Sequence, residues 1–378
     1  MRRIAFYVSA HGFGHAVRIG ALLAALRERS RGDLERSRGD LELLVRSEAP
    51  RELFARRDPQ AGHSAARIDV GVVQRSALDL DLPASLAAHE AFLAGWDAAV
   101  AREAAWLHEA RADLVVGDIP PLAFAAAHRA GIARVAIANF SWDWVLDAWA
   151  GDDPRWRPVV ARYADAYGLA ERLFRLPLHG ELHAFPSVVD VPFLVNRSRA
   201  DPARVGEQLG FAADDPRPLV LVSFGGFGSG PVAAARWDAL DAYRFVGFGA
   251  PPAGFPASWC PVPAHVAHED VVAACDVLVG KPGYSTCAEV IAHRARFLHL
   301  PRTNFREVPA LESGLASFAC SQPMPREDFF GGRWRRHLDA IVARPRPPVA
   351  PPANGAEVIA EALLEMARGA SPRRGIER

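Results

Sequence analysis

Residues Cys275 to Arg302 read CDVLVGKPGYSTCAEVIAHRARFLHLPR. Asp276 to Val279 is a short β-branched run suited to a buried strand. Gly280 to Ser285 breaks it, with Pro282 and Gly283 punctuating a turn. Cys287, Val290, Ile291 and Ala295 then recur at helical spacing, and Phe297 to Leu300 reads as the next strand. This is one βαβ unit, the building block of a parallel sheet. A glycine turn that delivers a helix N-terminus leaves backbone N–H groups aligned with the positive end of the helix dipole, which suits a phosphate or diphosphate. Thr286 and Glu289 stand three apart, so two readings are open: a capping box closed by Glu289, or a carboxylate offered to a ligand.

The run Gly283, Thr286, Glu289 resembles, position for position, the Gly-x-x-Thr-x-x-Glu donor motif of GT-B glycosyltransferases. The resemblance is to the cell-wall N-acetylglucosaminyltransferase family that makes lipid II and to the glycosyltransferase-like N-terminal part of plant L-arabinokinase. It implies a helix N-terminus on the diphosphate of a sugar nucleotide, with Glu289 on the ribose hydroxyls. It also implies donor contacts from Tyr284 and Ser285, from Gly225 and Gly226 in the glycine-rich turn after the Leu219–Phe224 strand, and from Glu307 in the loop Pro301–Glu307. That loop departs from the family pattern, because Glu307 stands where an Asp-Gln or Gln-Gln pair is usual.

The chain opens on a second βα unit. Arg3 to Ala10 reads as a strand, His11 to His15 (HGFGH) as a glycine turn, and Ala16 to Arg29 as a helix with an apolar stripe of Ile19, Leu22, Leu23 and Leu26. His11, Gly12, Gly14 and His15 thus fall at the carboxyl edge of a strand, where open α/β sheets bind ligands. A histidine there serves equally as a cap or as a proton acceptor. The turn resembles the acceptor-side loop of the same families, and this implies that His15 is the general base. Asp113 to Gly117 is a further strand with Asp118 just past it, either orienting His15 or capping the helix Leu122–Arg129. Other expected strands are Leu41–Val45, Ile68–Val73, Arg134–Ala138, Phe245–Gly249 and Val262–Val266, with a long helix over Leu86–Ala110. Trp142, Trp144, Trp149 and Trp156 crowd a loop-like stretch that reads as acceptor lining, membrane-facing surface or local core; Trp142 is placed on the acceptor side. Ser30 to Glu42 holds a charged tandem duplication too short for a solenoid. Asn354 and Glu357 cap a last helix presenting Val358, Ala362, Leu363 and Met366.

With 378 residues, half of them apolar, the chain fits two domains. Zero net charge gives no argument for nucleic acid. Cys260, Cys275, Cys287 and Cys320 show no C-x-x-C pairing, so neither a disulfide framework nor a zinc site is expected. The basic, apolar start lacks a cleavage site and no stretch is long enough to span a bilayer, which points to a cytoplasmic protein.

The expectation is an α/β protein of GT-B fold, two Rossmann-like domains facing a cleft. The domains are 1–190 on the acceptor side, 191–353 on the nucleotide-sugar side, and a helix over 354–378 that crosses back to the first. The implied activity is transfer of a hexose-like sugar from a nucleoside-diphosphate sugar, UDP-sugar favoured, with inversion and without metal or cofactor. His15 and Asp118 are the catalytic candidates. The acceptor is a small molecule or lipid, and peripheral membrane contact stays open. A sugar-nucleotide epimerase and a non-catalytic sugar-nucleotide-binding protein are the alternatives.

Overall fold

The computed structural model describes residues 2–34, 41–76, 78–212, 214–224, 237–251, 254–255 and 259–369. They group into two compact units. The first is formed by the described parts of Met1–Val73, Leu82–Leu194 and Asn354–Arg378, the second by Gln74–Asp81 and Val195–Ala353.

In the first unit the elements run β1 (Arg2–Val8), α1 (Phe13–Leu34), β2 (Leu41–Arg46), α2 (Arg51–Ala55), β3 (Gly62–Ser64), α3 (Leu82–Ala94), α4 (Trp96–Glu109), β4 (Leu114–Asp118), α5 (Pro121–Arg129), β5 (Ala133–Ala138), α6 (Trp142–Asp147), α7 (Trp156–Tyr167), β6 (Arg172–Arg175) and β7 (Val188–Asp190). The seven strands form one sheet in the order β3-β2-β1-β4-β5-β6-β7, and every pairing is parallel. A parallel sheet is covered on both faces, which is why Ile4 to Val8 and Leu114 to Val116 are continuous apolar runs with no exposure. The order reverses between β1 and β4, and this switch point is where an open α/β sheet leaves a crevice at its carboxyl edge. The register sets Val8 opposite Asp118, and Ser9 N–H donates to the Asp118 carbonyl at 2.8 Å. The chain leaving β1 therefore turns across the end of β4.

In the second unit the elements are α8 (Pro202–Gln208), β8 (Leu219–Ser223), β9 (Arg244–Gly247), β10 (Trp259–Pro261), α9 (His268–Ala274), β11 (Val277–Gly280), α10 (Tyr284–His293), β12 (Arg296–His299), α11 (Val308–Phe318), β13 (Cys320–Pro323), α12 (Arg326–Phe330) and α13 (Arg335–Val342). The six strands among its described residues follow the order β10-β9-β8-β11-β12-β13, again all parallel, with the reversal between β8 and β11. The register pairs Ser223 with Gly280 at the carboxyl edge. After this unit, α14 (Gly355–Gly369) packs on α1 of the first, and Gly355 N–H donates to the Phe193 carbonyl at 3.0 Å.

Several elements differ from the sequence reading. The long helix over Leu86–Ala110 is two helices, broken at Gly95, which sits outside helical geometry (φ −100°, ψ 8°). Ile68–Val73 forms no strand, because side chains take its backbone groups: Val72 N–H donates to His11 Nδ1 at 3.2 Å and the Gly71 carbonyl accepts from His89 Nε2 at 2.8 Å. The strand expected at Val262–Val266 lies earlier, at Trp259–Pro261; Val262 N–H still donates to the Gly247 carbonyl at 2.9 Å, and Pro263 has no N–H to carry the ladder further. The tryptophan-rich stretch is helical, and Trp142, Trp149 and Trp156 are buried as local core. The first helix begins at Phe13, so Gly14 and His15 lie inside it. Positions 35–40 of the charged duplication lie outside the described residues. The buried face of α14 is Ile359, Ala360, Leu363 and Leu364, while Val358 is 37% exposed. Nothing in the sequence marks 74–81 as an excursion into the second unit. There Leu78 joins the core with Val220, Phe224 and Phe329, and Arg326 donates two 2.9 Å hydrogen bonds to Asp79. All four cysteines are free thiols.

Candidate functional site

In the first unit, Gly12 takes φ 77°, a left-handed conformation that turns the chain sharply into α1. His15 then sits in the first turn of α1, beside the end of β4. Its Nδ1 lies 2.9 Å from Asp118 Oδ1, and both side chains are buried. Arg18 is one helical turn further along the same face. It donates from Nε to Asp118 Oδ2 at 2.8 Å, from Nη2 to Oδ1, and from Nη1 to Asn139 Oδ1 at 2.8 Å. One guanidinium thus ties together α1 and the carboxyl ends of β4 and β5. Asp118 caps no helix, since Pro120 occupies the N-cap of α5.

Burial alone pushes the Asp118 carboxyl up, but the charges of Arg18 and His15 and the hydrogen bonds from both more than offset it, so the net shift is downward. Asp118 is therefore an ionised acceptor. A carboxylate at 2.9 Å requires the proton of a neutral His15 ring to sit on Nδ1. Arg18 Nη2, 3.0 Å from the same nitrogen, is a second donor converging on Asp118 Oδ1. The lone pair of the neutral ring is then on Nε2, the atom available to accept a proton.

His11 has the opposite arrangement. Its Nδ1 accepts from Val72 N–H, so the neutral ring carries its proton on Nε2. Gly71 adopts φ +66°, and a Cβ there would stand 2.6 Å from His11 Nδ1, so glycine is needed for this approach. His89 anchors the turn from behind, donating from Nε2 to the Gly71 carbonyl and accepting from Tyr163 Oη at 2.8 Å. Burial lowers the His89 pKa to about 4, so it stays neutral in that role. The expectation for Trp142 is corrected: it has no exposure, packs edge-on against His11 at 5.1 Å, and donates from Nε1 to Asp69 Oδ2 at 3.2 Å. It braces His11 from the core side. Asp69 is itself raised, because burial outweighs its hydrogen bonds from Ser9 and Trp142 and the charge of His15.

In the second unit, Gly283 is the N-cap of α10 with extended backbone (φ −142°), and no side chain caps the helix. Tyr284, Ser285 and Thr286 form its first turn, so Thr286 lies inside the helix and the capping-box reading falls. A Cβ on Gly283 would meet no protein atom within 4 Å, so the fold does not dictate glycine there. Glu289, also in α10, is buried, and its Oε2 lies 2.9 Å from His268 Nδ1 at the start of α9. His268 Nε2 stands 3.2 Å from Ser223 Oγ, and the half-exposed ring of Phe248 stacks on the imidazole at 5.2 Å. Burial would lower the His268 pKa, but the charge and hydrogen bond of Glu289, with Glu269 adding to them, carry it above the ordinary value.

Lys281 and Arg302 both interact with Glu307; the sequence pattern placed Arg302 in the Pro301–Glu307 loop but gave no sign of Lys281. Lys281, between β11 and α10, is lowered to about 8 by burial and by Arg302, with Glu307 partly compensating. Arg302 is lowered by burial, partly compensated by Glu307, and its Cζ lies 4.7 Å from the Phe305 ring centroid. Glu307 is buried and occupies the N-cap position of α11. Gly225 and Gly226 lie outside the described residues. Arg18 was also missed, although its one-turn spacing from His15 was visible in the sequence. Among the described residues no group of three or more His, Cys, Asp or Glu is placed to hold a metal ion, and no helix is long and apolar enough to cross a membrane.

No protein-family model matches the chain. L-arabinokinase of Arabidopsis thaliana is 31% identical over 373 residues, which is 97% of this chain and 34% of that protein, so the chain spans about a third of the length of this curated relative. Among solved structures, the glycotransferase of kitacinnamycin superposes with TM-score 0.58 at 16% identity, covering 97% of this chain and 95% of that one. A UDP-glucosyltransferase from Polygonum tinctorium capable of glucosylating indoxyl gives TM-score 0.57 at 14% identity, covering 99% and 95%. These likenesses establish the fold: two parallel-sheet α/β units, matching glycosyltransferases of GT-B fold.

Proposed function

We propose that this chain moves a sugar from a nucleoside-diphosphate sugar, UDP-sugar favoured, to a hydroxyl of a small molecule or lipid, with inversion and without a metal. The observation that carries the reading is the His15–Asp118–Arg18 arrangement at the switch point of the first sheet. In this reading His15 Nε2 takes the proton of the acceptor hydroxyl as its oxygen bonds the anomeric carbon. The bond from that carbon to the diphosphate oxygen breaks, and its electron pair leaves with the nucleoside diphosphate. Asp118 orients the ring and stabilises the imidazolium, while Arg18 keeps Asp118 ionised. The amides at the start of α10, together with Lys281 and Arg302, stabilise the departing diphosphate, and Glu289 binds the ribose. The UDP preference takes support from the glucosyltransferase neighbour, which is named for UDP.

A thermal-shift panel of UDP, GDP, dTDP and their sugar conjugates tests the donor. A ligand of the native state raises its apparent stability by about 2.7 kcal/mol at a hundredfold excess over Kd. One nucleotide series should stand out, and a flat response to all of them at millimolar concentration would defeat the proposal. Glu289→Gln should weaken binding of that nucleotide by about 1–3 kcal/mol in calorimetry, through loss of a charge-assisted hydrogen bond. Unchanged affinity in a folded variant would reduce Glu289 to its ion pair with His268. Gly283→Ala complements it: the fold has room for the methyl group, so stability should change by less than about 1 kcal/mol. Diphosphate affinity should nevertheless fall, because a side chain would meet the anion.

A further inference from the structure

We propose that His268 is a positioning residue of the nucleotide site, holding one oxygen of Glu289 so that the other is aimed at the ribose diol. This rests on the donor reading of the second unit. The imidazole is gripped by three separate elements: Nδ1 meets Glu289 Oε2 of α10 at 2.9 Å, Nε2 meets Ser223 Oγ at the end of β8 at 3.2 Å, and Phe248, just past β9, stacks on its face with ring planes 30° apart. All of these lie at the carboxyl edge of the sheet, and Ser223 and Gly280 form the last paired step at its switch point. The ring therefore has one orientation.

A glutamate has three side-chain torsions, and aiming its carboxylate at a diol costs the entropy of fixing them. A buried carboxylate oxygen also needs a hydrogen-bond donor. His268 meets both needs before any ligand arrives. With Oε2 taken by the imidazole, ribose recognition falls to Oε1, and the geometry is set in advance. Ser223 in turn keeps the ring from flipping, since exchanging the two nitrogens would lose both bonds. A helix-to-helix ion pair present only for stability would hold α9 to α10 and would be indifferent to the 2′- and 3′-hydroxyls.

The test compares UDP with 2′,3′-dideoxy-UDP by calorimetry in the wild type, His268→Ala and His268→Asn, with circular dichroism confirming the fold. Asparagine places an N–H close to the position of Nδ1. The wild type should prefer UDP. His268→Ala should lower UDP affinity about tenfold and change dideoxy-UDP affinity less than about twofold, and His268→Asn should recover much of the loss. If both nucleotides weaken alike in the folded variants, His268 serves the fold and the inference is overturned. If the wild type binds both equally, Glu289 does not read the ribose and the inference falls while nucleotide binding stands. If the wild type does not bind UDP at all, the UDP-sugar reading fails and this inference fails with it.

Discussion

His15→Ala is expected to lower turnover about 10²–10⁴-fold while leaving nucleotide affinity nearly unchanged, because a general base acts in the transition state and adds little to binding the donor. The ring is prepared for that role by its environment. Asp118 holds the proton on Nδ1, and Arg18 neutralises Asp118 so that the buried pair carries no net charge before the imidazole is protonated. Asp118→Asn should cost turnover less than His15→Ala, since the imidazole itself remains, although the amide neither stabilises the imidazolium nor balances the buried Arg18 charge. Steady-state rates with donor and acceptor, set beside calorimetry with the nucleotide alone, separate the outcomes. Normal turnover in His15→Ala would remove it as the base. Lost nucleotide binding would assign the HGFGH turn to the donor.

Arg18→Ala should destabilise the first unit by about 3–5 kcal/mol, the cost of leaving one member of a buried ion pair alone. Arg18 is 2% exposed and Asp118 not at all, so water cannot take over the lost bonds. The pH dependence supplies a sign. In the wild type the folded Asp118 pKa is below the ordinary carboxylate value, so its contribution is fully present above about pH 3.9 and is lost as pH falls through the folded pKa. In Arg18→Ala burial prevails, the folded pKa rises, and the deficit should grow as pH rises through the carboxylate range. Urea denaturation of both proteins across acidic to neutral pH measures this. A double variant, Arg18→Met with Asp118→Asn, should regain much of the stability, because neutral groups need no counter-charge. A deficit that is small and flat with pH would mean that Asp118 is not an ionised partner.

The two glycine turns and the strands that feed them could be read directly from the residues. A β-branched run, a Gly or Pro break and an apolar stripe are local patterns, and they place His11 and His15 beyond β1, Asp118 at the end of β4, and Gly283 through Glu289 at the start of α10 with no knowledge of neighbours. The same locality explains the misreadings. Alternation at Ile68–Val73 favours a strand, yet the backbone there is claimed by His11 and His89, side chains from distant segments. The clustered tryptophans suggest a binding surface, yet two short helices fold them inward. Arg18 reads as an ordinary polar residue of an amphipathic helix. It becomes the counter-charge of an aspartate 100 residues away only because strand order sets β4 beside β1 and the parallel register brings Val8 level with Asp118. The pairing of His268 with Glu289 likewise depends on α9 and α10 lying against each other. Propensity and periodicity act within a few residues along the chain, whereas the pairing of buried charges depends on which strand ends the sheet makes adjacent.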